Sequence, residues 1–221
     1  MKLIFCLPGN NFSSAFFKNW NGFLMWLVTS SPWRDGLFMM VSSMPGSDVC
    51  IVRERCLGIG PDSVVVSTKK LAPFFGTIEY DYIMWIDSDI IFKPEDFMKL
   101  VNRDVDIVSG LYKRTPEFYT AVRYNPSVTL KDIVEISEPD IEGQTDLIEV
   151  SLCGLGFMLV KKGVFESLER PWFLHPVADF LGATTSISED AYFCMKAQEA
   201  GFKLWVDPTV RVGHEKLTIR Y

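Results

Sequence analysis

The stretch Tyr82-Ile83-Met84-Trp85-Ile86-Asp87-Ser88-Asp89 decides how the rest of this chain is read. Its five apolar residues, mostly branched or aromatic, have the composition of a strand buried on both faces, and the run then breaks into two carboxylates separated by one serine. In an open α/β sheet, ligands bind in the crevice beyond the carboxyl ends of the strands, which places Asp87 and Asp89 where a site is expected. Carboxylates two residues apart can reach one hard divalent cation whose other positions are filled by phosphate oxygens and water. The simplest ligand of that kind is a metal-bound diphosphate.

Toward the N-terminus the pattern is β-α-β. Residues 1–7 read as a first strand, closed by Pro8-Gly9-Asn10-Asn11. They are too short for a signal peptide. Phe16, Phe17, Trp20, Phe23, Leu24 and Leu27 then repeat at helical spacing, with Ser13 or Asn11 as cap. Lys18, Asn19 and Asn21 interrupt that run, which falls short of a membrane span. Residues 37–41 predict a second buried strand, and Asp48 caps a helix through about Leu57 that turns Val49, Val52 and Cys56 inward and carries charge on Arg53 and Arg55. Residues 63–67 read as a further short strand.

Past the central strand, Pro94-Glu95-Asp96 opens a helix with proline at a tolerated first position and acids at the positive end of the dipole. Residues 104–110 return as a strand. Residues 111–149 mix Tyr112, Lys113, Arg114, Tyr119, Arg123 and Tyr124 with an acidic, turn-rich stretch, and predict an irregular or antiparallel excursion. Residues 148–160 read as a strand interrupted by Gly154 and Gly156. A helix follows from Ser186-Ile187-Ser188-Glu189-Asp190 to Ala200, and a last strand covers residues 202–206.

The bulk numbers bound the function. The chain has 221 residues, 48% of them hydrophobic, enough for a single α/β core. Its net charge of -6 and the absence of a basic run argue against a nucleic-acid backbone as partner. Five cysteines at wide spacing in apolar surroundings read as reduced core residues, no CxxC pair suggests zinc, and a soluble cytoplasmic protein is expected.

Four features occur together in order: Asp87-Ser88-Asp89, Gly154-Leu155-Gly156, Ser188-Glu189-Asp190, and Val212-Gly213-His214. This set resembles the GT-A class of nucleotide-sugar-dependent glycosyltransferases, whose corresponding elements are a DxD motif, a glycine loop, an acidic xED motif and a C-terminal histidine. Arg53, Ser109-Gly110-Leu111-Tyr112 and Pro171-Trp172-Phe173 look like the small single-domain transferases of bacteria, phages and large viruses; for a viral chain the expected location is the infected host cell. The resemblance covers residues 3–215. It implies one GT-A (Rossmann-like) α/β domain over 1–221, with a mixed, mainly parallel sheet flanked by helices. Residues 1–110 would bind the nucleotide sugar, and 111–221 would bind the acceptor and carry the catalytic acid.

The resemblance also implies roles. Asp89 would be a direct metal ligand, Asp87 would touch ribose or a metal-bound water, and His214 would be the remaining protein ligand. Mn²⁺ suits this oxygen-plus-imidazole set better than the alternative, Mg²⁺. Asp190 would be the base that an acceptor hydroxyl needs in an inverting enzyme, with Glu189 beside it. Pro8, Gly9 and Ser42 would border the base and ribose along with Ser88, and Arg53 would meet the base or the diphosphate. Gly154, Gly156 and Trp172 would face the acceptor. The donor is a nucleoside diphosphate sugar, UDP-linked before GDP-linked; the acceptor is a glycan or glycoprotein.

Plainer accounts compete at each position. Glu189 and Asp190 could serve only the helix dipole, with Ser186 and Glu189 as a capping box. Gly154 and Gly156 could mark a bulge, His175 could be a loop residue, His214 could be an ordinary half-buried histidine, and Arg53 and Arg55 could be solvated. The domain as a whole could be a catalytically silent nucleotide- or carbohydrate-binding module. Other classes fit less well. A haloacid-dehalogenase-type phosphatase places its first Asp on the first strand with a following Thr. A nucleotidyltransferase wants a basic glycine loop after that strand, and a P-loop kinase wants GxxxxGK.

Overall fold

The structure, a computed structural model, describes residues 1–60, 70–124, 133–180 and 182–215. The strand expected at 63–67 lies outside them.

The first apolar run forms β1 (Lys2–Pro8), in which Leu3, Phe5 and Leu7 face one core while Ile4 and Cys6 face another. Helix α1 (Ser14–Thr29) is capped as expected, Ser13 Oγ accepting the Phe16 N–H at 2.9 Å. Next come β2 (Phe38–Met44) and α2 (Val49–Cys56), whose cap Asp48 accepts from the N–H groups of Cys50 and Ile51. A tight turn at Pro73–Gly76 leads to β3 (Tyr82–Ile86), β4 (Ile90–Ile91), α3 (Pro94–Asn102) and β5 (Ile107–Leu111).

The excursion that follows is antiparallel. It holds β6 (Phe118–Arg123), β7 (Val134–Ser137) and α4 (Glu138–Ile141). The stretch expected as one glycine-broken strand is three, β8 (Ile148–Val150), β9 (Leu152–Cys153) and β10 (Phe157–Lys161). Then come α5 (Val164–Ser167), a hairpin of β11 (Val177–Phe180) and β12 (Ala183–Ser186), α6 (Glu189–Glu199), β13 (Leu204–Arg211) and β14 (Gly213–His214). The last long strand thus starts later and runs further than residues 202–206. Ser186 ends a hairpin strand instead of capping a helix; the cap of α6 is Ser188, whose Oγ accepts the Ala191 N–H.

Seven strands make the central sheet in the order β2-β1-β3-β10-β5-β13-β8, with β10 and β8 running against the other five. The sheet is mixed and mainly parallel. Helices α1 and α3 cover one face, where the Phe5 ring meets Trp20 and Phe23 edge-on at 5.4 Å each. Helices α2, α5 and α6 cover the other, packing on Ile83, Trp85 and Met158. All five cysteines are buried and unpaired. Among the described residues no helix is long and apolar enough to cross a membrane.

Candidate active site

The pocket sits beyond the carboxyl ends of β1 and β3. After β3 the chain turns at once: the Asp87 N–H donates to Gly156 O at 2.9 Å and the Ile90 N–H to Asp87 O at 3.1 Å. This turn lifts Asp87, Ser88 and Asp89 into a cavity of about 270 Å³ that Pro8 and Gly9 bound on the β1 side and Glu189 and Asp190 on the α6 side. Gly9 has φ of 141°, and a Cβ there would lie 2.7 Å from Ser88 Oγ, so the close approach of the two loops requires glycine.

Asp89 meets His214 through a two-stranded ribbon. In it β14 pairs antiparallel with β4, His214 opposite Ile90, and the Glu215 N–H donates to Asp89 O at 2.7 Å. His214 Nδ1 is 2.8 Å from Lys113 O and its Nε2 is 3.1 Å from Asp89 Oδ2. A carbonyl only accepts, so Nδ1 carries the proton and Nε2 turns its second nitrogen to a carboxylate. Two such atoms at this distance need a proton or a cation between them. Asp89 lines the pocket, and with the imidazole that the Lys113 carbonyl orients it offers an oxygen and a nitrogen donor of the kinds a divalent ion takes. Burial pushes the Asp89 carboxyl above its ordinary range, the neighbouring His214 opposes that, and Asp87 adds to it.

Arg53 lies at the centre of the acids. Its side chain is 2% exposed, and Nη1 and Nη2 fork toward Asp87 at 3.1 and 3.2 Å. Its Nε lies 3.4 Å from Glu189, and Nη2 lies 3.5 Å from Asp190 Oδ1. Burial by itself lowers the guanidinium's pKa, but the three carboxylates more than offset this and raise it. Arg53 is thus an internal counter-ion and not a solvated charge, and it also lines the cavity. Asp87 is thereby engaged by Arg53, and among the described residues no group of three His, Cys, Asp or Glu side chains converges as a closed metal cage.

The pairing is ionic more than hydrogen-bonded: Asp87 Oδ1 and Arg53 Nη1, 3.1 Å apart, and Asp190 Oδ1 are all buried without a hydrogen-bond partner. Burial raises the Asp190 pKa to about 7; Arg53 opposes the shift and Glu189 and Asp87 add to it. A carboxylic acid is therefore poised near neutrality, where a general base works best.

Other expected residues land elsewhere. Ser42 is 5% exposed inside β2, opposite Cys6, and Gly46 and Ser47 line the pocket in its place. Trp172, expected to face an acceptor, is fully buried; its Nε1–H donates to Phe165 O at 3.1 Å and it packs edge-on to the Phe165 ring. Gly154 and Gly156 make room for a side chain of this chain: a Cβ would lie 2.1 and 2.7 Å respectively from Tyr112 Oη, and the Gly156 N–H donates to that oxygen at 2.9 Å. Gly154 also lines a second cavity of about 180 Å³, which Asp190 shares with the first.

Tyr112, the last residue of the Ser109-Gly110-Leu111-Tyr112 stretch, has a place in the site that the sequence does not specify. Its ring lies edge-on to His214 at 5.2 Å, so one side chain braces both the histidine and the glycine loop. No local signal marks it. For Arg53 a signal existed: it stands four residues after Val49 and three before Cys56, on the face those residues turn inward.

No protein-family model matches the sequence, and no curated protein matches it. Among solved structures the chain is similar to A197 from STIV, with TM-score 0.54 and 18% identity over 100% of this chain and 97% of that one. It is also similar to GalNAc-T7, solved with UDP, GalNAc and Mn²⁺, with TM-score 0.55 and 10% identity over 96% of this chain. The match spans 43% of the GalNAc-T7 chain. The likeness is one of fold, and the fold is GT-A.

Proposed function

We propose that this chain is a metal-dependent glycosyltransferase that moves a sugar from a nucleoside diphosphate sugar, UDP-linked in first choice, to a hydroxyl of a glycan or glycoprotein acceptor. The observation that carries the reading is the position of Asp190, which lines both the cavity holding Asp87 and Asp89 and the cavity beside Gly154. A base that removes a proton from one substrate as it attacks another must reach both.

In this reading residues 1–110 seat the nucleotide sugar, with Pro8, Gly9 and Ser88 along the nucleotide, and residues 111–221 seat the acceptor. Asp89 and His214 would hold Mn²⁺, or Mg²⁺ as the alternative, and the bound ion would offset the charge that develops on the departing diphosphate. Asp190 takes the acceptor's proton. Burial keeps that acid's proton affinity high, Arg53 keeps it from rising further, and Glu189 and Asp87 add to it. Tyr112 fixes the His214 ring, and the Lys113 carbonyl fixes its tautomer.

The test is turnover of UDP-sugars in the presence of Mn²⁺, followed as UDP released, for wild type, Asp190→Asn and Asp89→Ala. Metal-dependent release that falls by about 10²–10⁴-fold in Asp190→Asn, the range for loss of a general base, is the expected result. Metal-dependent UDP binding with no turnover of any sugar would make the domain a silent nucleotide-binding module.

A further inference from the structure

A third cavity, of about 230 Å³, lies on the other flank of α2. Its size is many times the roughly 10–15 Å³ that one water needs. Ile51 and Ile59 form one wall and Pro171, Phe173 and Leu174 another. Ile51 and Leu174 remain 36% and 40% exposed, so apolar side chains stand uncovered at its mouth.

The charged groups around it are engaged, with one exception. Glu54 Oε2 accepts from Arg170 Nε at 3.0 Å, and Glu54 Oε1 accepts the N–H groups of Trp172 and Phe173 at 2.5 and 3.2 Å. Asp48 caps α2. His175 lies between Ile187 O at 3.3 Å and Glu189 Oε2 at 3.5 Å. Arg55 is the exception: its side chain is half-buried on the cavity wall and makes no ion pair among the described residues, and its sealed Nε has no hydrogen-bond partner. A guanidinium without a carboxylate beside apolar side chains is best satisfied by an oxyanion. The cavity offers no nucleophile of its own, because burial, with Asp48 and Glu189 nearby, pushes the Cys50 thiol up to about 12.

We propose that this cavity binds an amphiphile, an apolar chain or ring joined to an oxyanion, with the apolar part among Ile51, Ile59, Phe173 and Leu174 and the oxyanion on Arg55. The ligand's part in the reaction follows from His175 on the rim, whose Nε2 faces the Glu189 that lines the first cavity. An amphiphile seated here is separated from the start of α6 by His175, and serves as the portion of the acceptor distant from the reacting hydroxyl. That last assignment rests on the glycosyl-transfer reading; the binding site does not.

The experiment is calorimetric titration of the full chain with octyl phosphate, octanoate, octyl glucoside and inorganic phosphate, and separately with UDP and Mn²⁺. Saturable one-to-one binding of an octyl anion is expected, about tenfold or more tighter than octyl glucoside or inorganic phosphate, as a charge-assisted contact added to apolar burial requires. The phosphate and carboxylate arms show which oxyanion the site prefers. Arg55→Gln should remove the preference for the anion, and Ile51→Trp, which fills the mouth, should weaken every octyl ligand. If Arg55→Gln does not fold, Ile51→Trp carries the test. Absence of saturable binding, or wild-type binding in both variants, overturns the proposal. UDP binding with Mn²⁺ but no octyl anion binding overturns this site and leaves the transfer reading standing. Octyl anion binding without any nucleotide binding upholds the site and removes only its assignment as an acceptor pocket.

Discussion

His214 Nε2 lies 3.1 Å from Asp89 Oδ2, although 125 residues separate the two in sequence. The Lys113 carbonyl behind the ring holds a proton on the other nitrogen, and in the proposed function the pair shares a cation. His214→Ala is expected to weaken Mn²⁺-dependent binding of UDP by about a hundredfold, at the upper end of what loss of a metal-site partner costs, and to leave metal-free binding nearly unchanged. Calorimetry with and without Mn²⁺ measures this; equal affinity for wild type and variant would take His214 out of the site.

Arg53 is the buried counter-ion of one buried acid, Glu189, and two half-buried ones, Asp87 and Asp190, and its loss leaves them uncompensated. Arg53→Met should destabilise the fold by about 3–5 kcal/mol at pH 8, the usual result of breaking a buried ion pair from one side. The deficit should shrink at pH 5, where Asp190 is protonated. Urea melts at the two pH values would show it, and a pH-independent deficit would mean that packing of the side chain, not its charge, matters.

Asp190 has a native pKa of about 7 against an ordinary value of 3.8. The native state therefore holds this proton more tightly than the unfolded chain does, and stability present below pH 3.8 is lost as pH rises through about 7. Asp190→Asn cannot titrate. In metal-free buffer its melting temperature should gain on that of wild type as pH rises from 4 to about 8, while its turnover is lost. Wild-type turnover should rise through about pH 7, as a base requires. A constant difference in melting temperature across that range would contradict the raised pKa.

Tyr112 and the glycine loop should behave as one unit. Tyr112→Phe leaves the buried Gly156 N–H without its acceptor, a loss of about 1–3 kcal/mol. Gly154→Ala places a methyl 2.1 Å from Tyr112 Oη and should unfold the chain or come close to it. In the Tyr112→Phe background the same change should cost measurably less, because the colliding oxygen is gone. A double-mutant cycle of urea melts tests the coupling, and additive effects would disprove the contact.

Much of this arrangement was legible in sequence where the signal is local. The apolar run before Asp87 reads as a buried strand, and Asp48 and Ser13 cap helices because a short polar side chain before an apolar period does the same thing in any fold. Asp87, Asp89, Glu189 and Asp190 end up in one cavity because each sits where an element ends on the ligand side of the sheet. The failures are long-range. Whether Trp172 faces a ligand or the core depends on Phe165, which no period links to it. The partner of Gly156 is Tyr112, 44 residues away. The burial of Arg53 follows from its position on the inward face of α2, a signal that its charge masks in sequence. Ser186 and Ser188 are equivalent as caps by composition, and only the hairpin that ends at Ser186 separates them.

The ribbon of β4 and β14 has a kinetic meaning. Trp20 packs on Phe16 and Phe23 of its own helix and on Phe5 of the preceding strand, whereas Asp89 and His214 meet only when one of the longest loops in the chain has closed. Closures of that span come late in folding, since the entropy of the loop is lost before the contact rewards it. A refolding chain should thus bury Trp20 before the ribbon closes, and under the proposed function Mn²⁺-dependent UDP binding in stopped-flow refolding should lag the tryptophan fluorescence. Competence, on this topology, is the last property the molecule gains and the first it loses when the ribbon opens.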